Sequence, residues 1–351
     1  MKPTSFLTSA LCAGTIAFAG SAAAQELTIA SWGGAFQDAQ RSAYFTPFSD
    51  TTGIGISEDN YLGGWGPFKA MKDTGQYKWD IVEVQSSTMV RGCEEGVFRS
   101  LDMSRIAPEE EFLPWAVVSD CGIGIASGSM VMSYNDDRIG DTKPASAQDF
   151  FDLETFPGNR ALRSTPNLIL EFALLADGVA PQDIYTTLET DEGVDRAFAK
   201  LDSIKDHIQW WEGGAQAPDW LVSGDVTMAL TYNGRIANAQ SQGQPLVMLW
   251  DKPVWYGDYL VVLNGRDNEE VAHQYLAFVS NKDRQADFSN QLTYGPSVKA
   301  ALDGVAADMK ASLPVGENIE NGLFASSAEG TMFWLDNLDE ISARFNTWRN
   351  S

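Results

Sequence analysis

Residues Glu26 to Ser31 alternate polar and apolar side chains and stop at Trp32-Gly33-Gly34, after which residues 35–48 carry apolar positions at helical spacing. That pattern predicts a strand, a glycine turn and a helix. The order repeats: Gly55 to Glu58 reads as a second strand, Gly63-Gly64-Trp65-Gly66-Pro67 as a turn, and Phe68 to Thr74 as a helix. Trp79 to Val84 then reads as a buried strand. Strands alternating with helices imply a parallel sheet with right-handed crossovers, hence an α/β fold.

Further along, Gly122 to Tyr134 is rich in glycine and β-formers and predicts a pair of strands, followed by a turn from Asn135 to Pro144 that marks a crossing between lobes. Residues 148–156 and 181–206 have helical spacing, Gly224 to Tyr232 predicts a strand ending at Asn233-Gly234, and Leu246 to Trp250 predicts another. Lys252-Pro253 separates that strand from Val254 to Val262, which crosses back. Helical patterns cover 268–279, 282–292 and 329–348, and no repeat or low-complexity tract interrupts them.

The N-terminus changes the setting. Residues 1–25 combine Lys2, an apolar stretch from Phe6 to Phe18 and the run Ala22-Ala23-Ala24, which predicts a secretory signal cleaved after Ala24 and a periplasmic protein of a Gram-negative bacterium. Acylation at Cys12 is disfavoured because Leu11 precedes it. Residues 25–351 exceed what one hydrophobic core usually serves, so two lobes are expected. Loss of residues 1–24 removes Lys2 and no acid, leaving 23 basic against 48 acidic residues, a net charge of −25. Such a surface repels nucleic acid and anionic lipid and draws in cations, or else reflects an organism with salt-adapted acidic surfaces. Cys93 and Cys121 are the two cysteines left in an oxidising compartment, and a disulfide between them is plausible. Only His207 and His273 occur, far apart in sequence, so neither a zinc site nor a histidine-based triad is supported, and no metal is expected.

Trp32, Trp65, Ser86, Tyr232, Tyr256, Asp258 and Tyr294 fall at predicted strand ends, where open α/β sheets bind ligands. Aromatic faces attract an ammonium and a carboxylate adds charge pairing, so these residues suit an amine, although each aromatic alone is equally at home in a core. The glycines of Gly122 to Gly128 depart from G-x-G-x-x-G at Ser127, no G-x-S-x-G or H-E-x-x-H string occurs, and no cofactor is expected. A secreted hydrolase built on a chance carboxylate pair is the competing class.

Leu27 to Gly34, Trp79-Asp80-Ile81-Val82, Gly224-Asp225-Val226 with Tyr232-Asn233-Gly234-Arg235, Tyr256-Gly257-Asp258 and Tyr294-Gly295-Pro296 resemble, in order and spacing, the polyamine-type (spermidine/putrescine-like) solute-binding proteins of ABC importers. The resemblance implies a two-lobed fold closing over its ligand, no enzymatic activity, a monomer, and delivery to the transmembrane subunits of an ABC permease. It places 25–135 with 256–300 in lobe 1 and 136–255 with 301–351 in lobe 2. It implies ligand contacts at Trp32, Gly33, Ser86, Trp211, Tyr232, Tyr256, Asp258 and Tyr294, and a small cationic amine as ligand. Two departures favour an alternative: Gly33-Gly34 stand where polyamine binders often carry a hydroxyl and an acid, and Arg163 to Asn167 stand where they often carry an acidic pair. If Arg163 or Arg235 faces the cleft, its fork would hold a carboxylate, favouring a zwitterionic amino-acid derivative or opine-like solute. Trp210 to Gln216 resembles an aromatic-x-Gly-Ala-Gln string of some binders, in which Glu212 or Gln216 contacts ligand; a tight turn between helices explains it equally well.

Overall fold

A computed structural model describes residues 26–351 together with Met1, so the predicted signal segment and Cys12 lie outside the described residues. Strands β1 (Glu26–Ser31), β2 (Gly55–Asn60) and β3 (Ile81–Gln85) are parallel, in spatial order β2-β1-β3, as strand-helix-strand units demand. Parallel strands β5 (Arg160–Arg163), β6 (Ile208–Trp211) and β7 (Met228–Tyr232) form a second such group. Two long strands join the groups, β4 (Gly122–Asn135) and β8 (Leu246–Val262), paired antiparallel with each other, β8 with β3 and β4 with β7. The path is β2-β1-β3-β8-β4-β7-β5-β6, with the short strands β9 (Gly295–Pro296) on β4 and β10 (Leu323–Phe324) on β8.

Two large apolar cores lie along this sheet. One gathers side chains from Leu27 to Ala126 and from Tyr259 to Ala301, the other from Met130 to Tyr256 and from Leu323 to Phe345. Both long strands pass from one core to the other within a single element. The predicted strand pair at 122–134 is therefore one strand, and Leu246 to Val262 is likewise continuous through Pro253. Every residue of β4 is buried, so the strand is covered on both faces and has no alternation to reveal its length. Its ladder with β8 slips register between Gly124 and Ala126 and again between Met130 and Met132. Such irregularities bend a strand, which lets one sheet serve two lobes. A third crossing runs through Phe324 and Ala325, where Phe324 stacks on Trp255 with centroids 4.0 Å apart and the Gly257 N–H donates to the Ser326 hydroxyl at 3.1 Å.

The Cys93–Cys121 disulfide joins the helix Ser86–Glu94 to the residue before β4, with Cα atoms 5.8 Å apart, within the usual range. No helix of the described residues is long and apolar enough to cross a membrane.

Candidate ligand-binding site

The carboxyl ends of the strands converge on the line where the cores meet, because parallel strands in each group point the same way and end at the long crossing strands. Trp32 follows β1, Gln85 ends β3, Arg163 ends β5, Trp211 ends β6 and Tyr232 ends β7. β8 supplies Tyr256 and Asp258, and Tyr294 precedes β9. All of these line one cavity of about 160 Å3, together with Arg235. The volume compares with the roughly 150 Å3 apolar cavity that accepts a benzene-sized guest.

Its walls are aromatic and tightly set. Tyr232 meets Trp211 at 5.4 Å and Tyr256 at 6.0 Å, both edge to face, and Tyr294 meets Phe36 at 4.9 Å, also edge to face. Those separations fall in the favourable range for aromatic pairs. Tyr294 can sit there because its neighbours lack side chains. A Cβ on Gly128 would come within 2.6 Å of the Tyr256 hydroxyl and 2.9 Å of the Tyr294 ring, and one on Gly234 would collide with the same ring. The Trp211 indole N–H donates to the Leu230 carbonyl at 3.2 Å, fixing its plane.

Asn233, fully buried, pins these pieces together. Its Oδ1 accepts from the Ser129 N–H at 3.0 Å, and its Nδ2 donates to the carbonyls of Thr293 at 2.5 Å and Ser312 at 3.0 Å. One side chain thereby ties β4, the segment before Tyr294 and the start of the helix Asn233–Ser241, which carries Arg235.

The charged groups define the chemistry. Asp258 is 4 % exposed and makes no ion pair within 4 Å among the described residues. Burial pushes its carboxyl well above the usual carboxylate range; the charge of Glu83 pushes the same way, and Arg163 opposes both. Glu83, fully buried on β3, accepts at Oε2 from the Ser31 hydroxyl at 3.0 Å and Gln40 Nε2 at 2.7 Å, and is pushed up to about 7, chiefly by burial. Arg163 Nη1 and Arg235 Nε are buried without a hydrogen-bond partner. Arg163 lies over the Tyr232 ring at 6.0 Å, and Arg235 runs past Gly214 at its Cγ and Nε to bring its terminal nitrogens beside Gly34. Two guanidiniums and one buried carboxylate, with Glu212 exposed at the rim, therefore share an aromatic chamber without neutralising one another directly, an arrangement that favours a guest carrying both signs of charge.

Three residues expected at the site lie elsewhere, among them Trp65, which lines an adjoining cavity. Gly33 is not among the cavity walls; it starts the helix Gly34–Gln40 at φ 71°, a conformation that glycine adopts without strain. Ser86 faces an adjoining cavity, and its hydroxyl accepts from the Thr331 hydroxyl at 2.8 Å. The string Trp210 to Gln216 is a strand-to-helix turn rather than a helix-to-helix one: Gln216 Oε1 accepts from the Glu212 and Gly213 N–H groups, both at 2.8 Å, so Gln216 holds the turn while Glu212, Gly213 and Gly214 face the cavity. Phe36, Leu62 and Gln85 also line it, and the sequence pattern did not single them out. Gln85 was detectable as the neighbour of Ser86, one residue out of register.

Comparison with known proteins agrees with this architecture. Residues 43–315 match the family described as bacterial extracellular solute-binding protein. The chain is 43% identical over 335 residues to a gamma-aminobutyric acid-binding protein of Pseudomonas aeruginosa, covering 95% of this chain and 94% of that one. It is 21% identical over 287 residues to the spermidine/putrescine-binding periplasmic protein of Escherichia coli, covering 78% and 80%. A solved structure of a GABA receptor superposes with a TM-score of 0.82 at 30% identity, covering 93% of this chain and 98% of the other.

Proposed function

Because this chain belongs to the bacterial extracellular solute-binding proteins, receptors and not enzymes, we propose that it captures a small zwitterionic ω-amino acid of the 4-aminobutanoate type. In this reading the lobes close over the ligand in the periplasm, and the monomeric receptor hands it to the transmembrane subunits of an ABC importer.

The observation that carries the reading is the pair of opposite charges at separate places on one aromatic chamber. Asp258 takes the ammonium, with Tyr256 and Tyr232 beside it, and Arg235 takes the carboxylate. Tyr232 and Tyr294 feel the charges of both Arg235 and Asp258, whereas burial, Glu83 and Arg163 set the shift of Asp258 itself. Asp258 stands on β8 and Arg235 on the helix Asn233–Ser241, two different walls of the chamber. Charges on separate walls support an amine and an acid separated by a carbon chain over an α-amino acid, in which they adjoin. A diamine finds only one buried carboxylate, since Glu212 lies exposed at the rim, and meets two guanidiniums, so the departures noted in the sequence favour the zwitterion over putrescine or spermidine.

Titration with 4-aminobutanoate followed by tryptophan fluorescence tests the reading, since Trp32 and Trp211 line the cavity. A saturable change at one ligand per chain is expected. No change at millimolar concentration, with no protection from thermal unfolding, sinks it.

A further inference from the structure

A second cavity of about 330 Å3 adjoins the first, and the two share Leu62, Gln85, Arg163 and Tyr256. The junction lies at the amine end of the inner chamber, because Gln85 is the direct partner of Asp258 in the β3–β8 ladder. On the outer wall Arg163 Nη1 and Thr165 Oγ1 are both buried without a hydrogen-bond partner. Two unsatisfied donors this close in sequence, on residues that line one chamber, are a costly arrangement unless an acceptor arrives. The acids of the outer chamber, Asp336 and Asp339, are exposed and stand on the C-terminal helix Ala328–Asn350, where water screens them. Arg91 is already engaged with Glu95 at 2.9 Å and lies over the Trp65 ring. Arg163 is thus the guanidinium left to receive a ligand here.

Resting on the 4-aminobutanoate reading, we propose that the outer cavity is a second subsite for an anionic group. The site then accepts ω-amino acids that carry a further carboxylate arm at the amine end, with Arg163 and Thr165 as its donors. A guest of this class places one carboxylate at Arg235, its ammonium at Asp258 and the second carboxylate at Arg163.

Calorimetric titration with 4-aminobutanoate and with N-(carboxymethyl)-4-aminobutanoate tests this. The native protein is expected to bind both. Arg163→Gln is expected to weaken the dicarboxylate at least ten-fold more than 4-aminobutanoate, and Thr165→Val to act in the same direction by about three-fold, which keeps the test decisive should the arginine variant fold poorly. Native binding of 4-aminobutanoate without the dicarboxylate overturns the inference alone, as does a variant that weakens both ligands equally. Binding of neither ligand overturns the underlying reading as well.

Discussion

Replacing Asp258 by Asn keeps the shape of the side chain and removes its charge. In the free protein the change relieves a carboxylate that is 4 % exposed, crowded by Glu83 and unpaired, so Asp258→Asn should fold at least as stably as the native chain. Binding moves the other way. An ammonium enclosed with a neutral amide loses a charge-assisted bond and keeps its desolvation cost, together about 2–4 kcal/mol, or roughly 30- to 1,000-fold in Kd. The size depends on pH in a specified sense. Burial holds the Asp258 carboxyl above its ordinary value, so below that raised pKa the native protein must release a proton to accept an ammonium, whereas the Asn variant titrates no group there. The gap between native and variant should therefore widen as pH rises toward and through that raised pKa, and the native protein should release more protons on binding than the variant. Calorimetry with 4-aminobutanoate in buffers of different ionisation enthalpy reads both quantities. Affinity of Asp258→Asn within two-fold of native at pH 8 would refute the assignment of the amine to this residue.

Three further outcomes follow from the same geometry. Arg235→Gln should weaken 4-aminobutanoate by about 1.5–3 kcal/mol, roughly 10- to 150-fold, in the same titration, with an unchanged melting temperature, since its Nε has no partner within the protein. Burial pushes Glu83 and Glu171 up to about 7, so the stability contributed by their protonated forms is fully present below pH ~4.5 and is lost as pH rises through about 7; thermal melts of Glu171→Gln should lose part of that decline, and an unchanged pH profile would count against it. Reducing the Cys93–Cys121 bridge, which spans a sequence separation of 28, should cost about 3–4 kcal/mol in urea unfolding by the chain-entropy account while leaving ligand affinity nearly intact, because neither cysteine lines the cavity.

Much of the cleft was legible because strand ends are punctuated. Trp32, Tyr232 and Tyr294 adjoin glycine or asparagine turns, so the aromatics at those turns could be placed at one sheet edge before any coordinates. The crossing strands were not legible. β4 is buried on both faces and β8 continues through a proline, so neither offers the alternation or the breaker that marks a strand's length. Placing the end of β3 at Val84 instead of Gln85 selected Ser86 for the cleft and passed over Gln85. An error of one residue transfers a side chain to the opposite face. Asn233 looked like turn punctuation, and its buried bonds to Ser129, Thr293 and Ser312 join segments 60 to 104 residues away, which no local pattern reports. The direction of Arg163 and Arg235 was equally a tertiary fact, and it moved the favoured ligand from a diamine to a zwitterion.

The central claim is that the chamber reads two opposite charges on one small molecule. Calorimetric titration of the native protein with 4-aminobutanoate, putrescine and butanoate isolates it, since these differ chiefly in which charged ends they carry. One-to-one binding of 4-aminobutanoate at least a hundred-fold tighter than either of the others is expected; putrescine binding as tightly as 4-aminobutanoate would contradict a two-charge chamber.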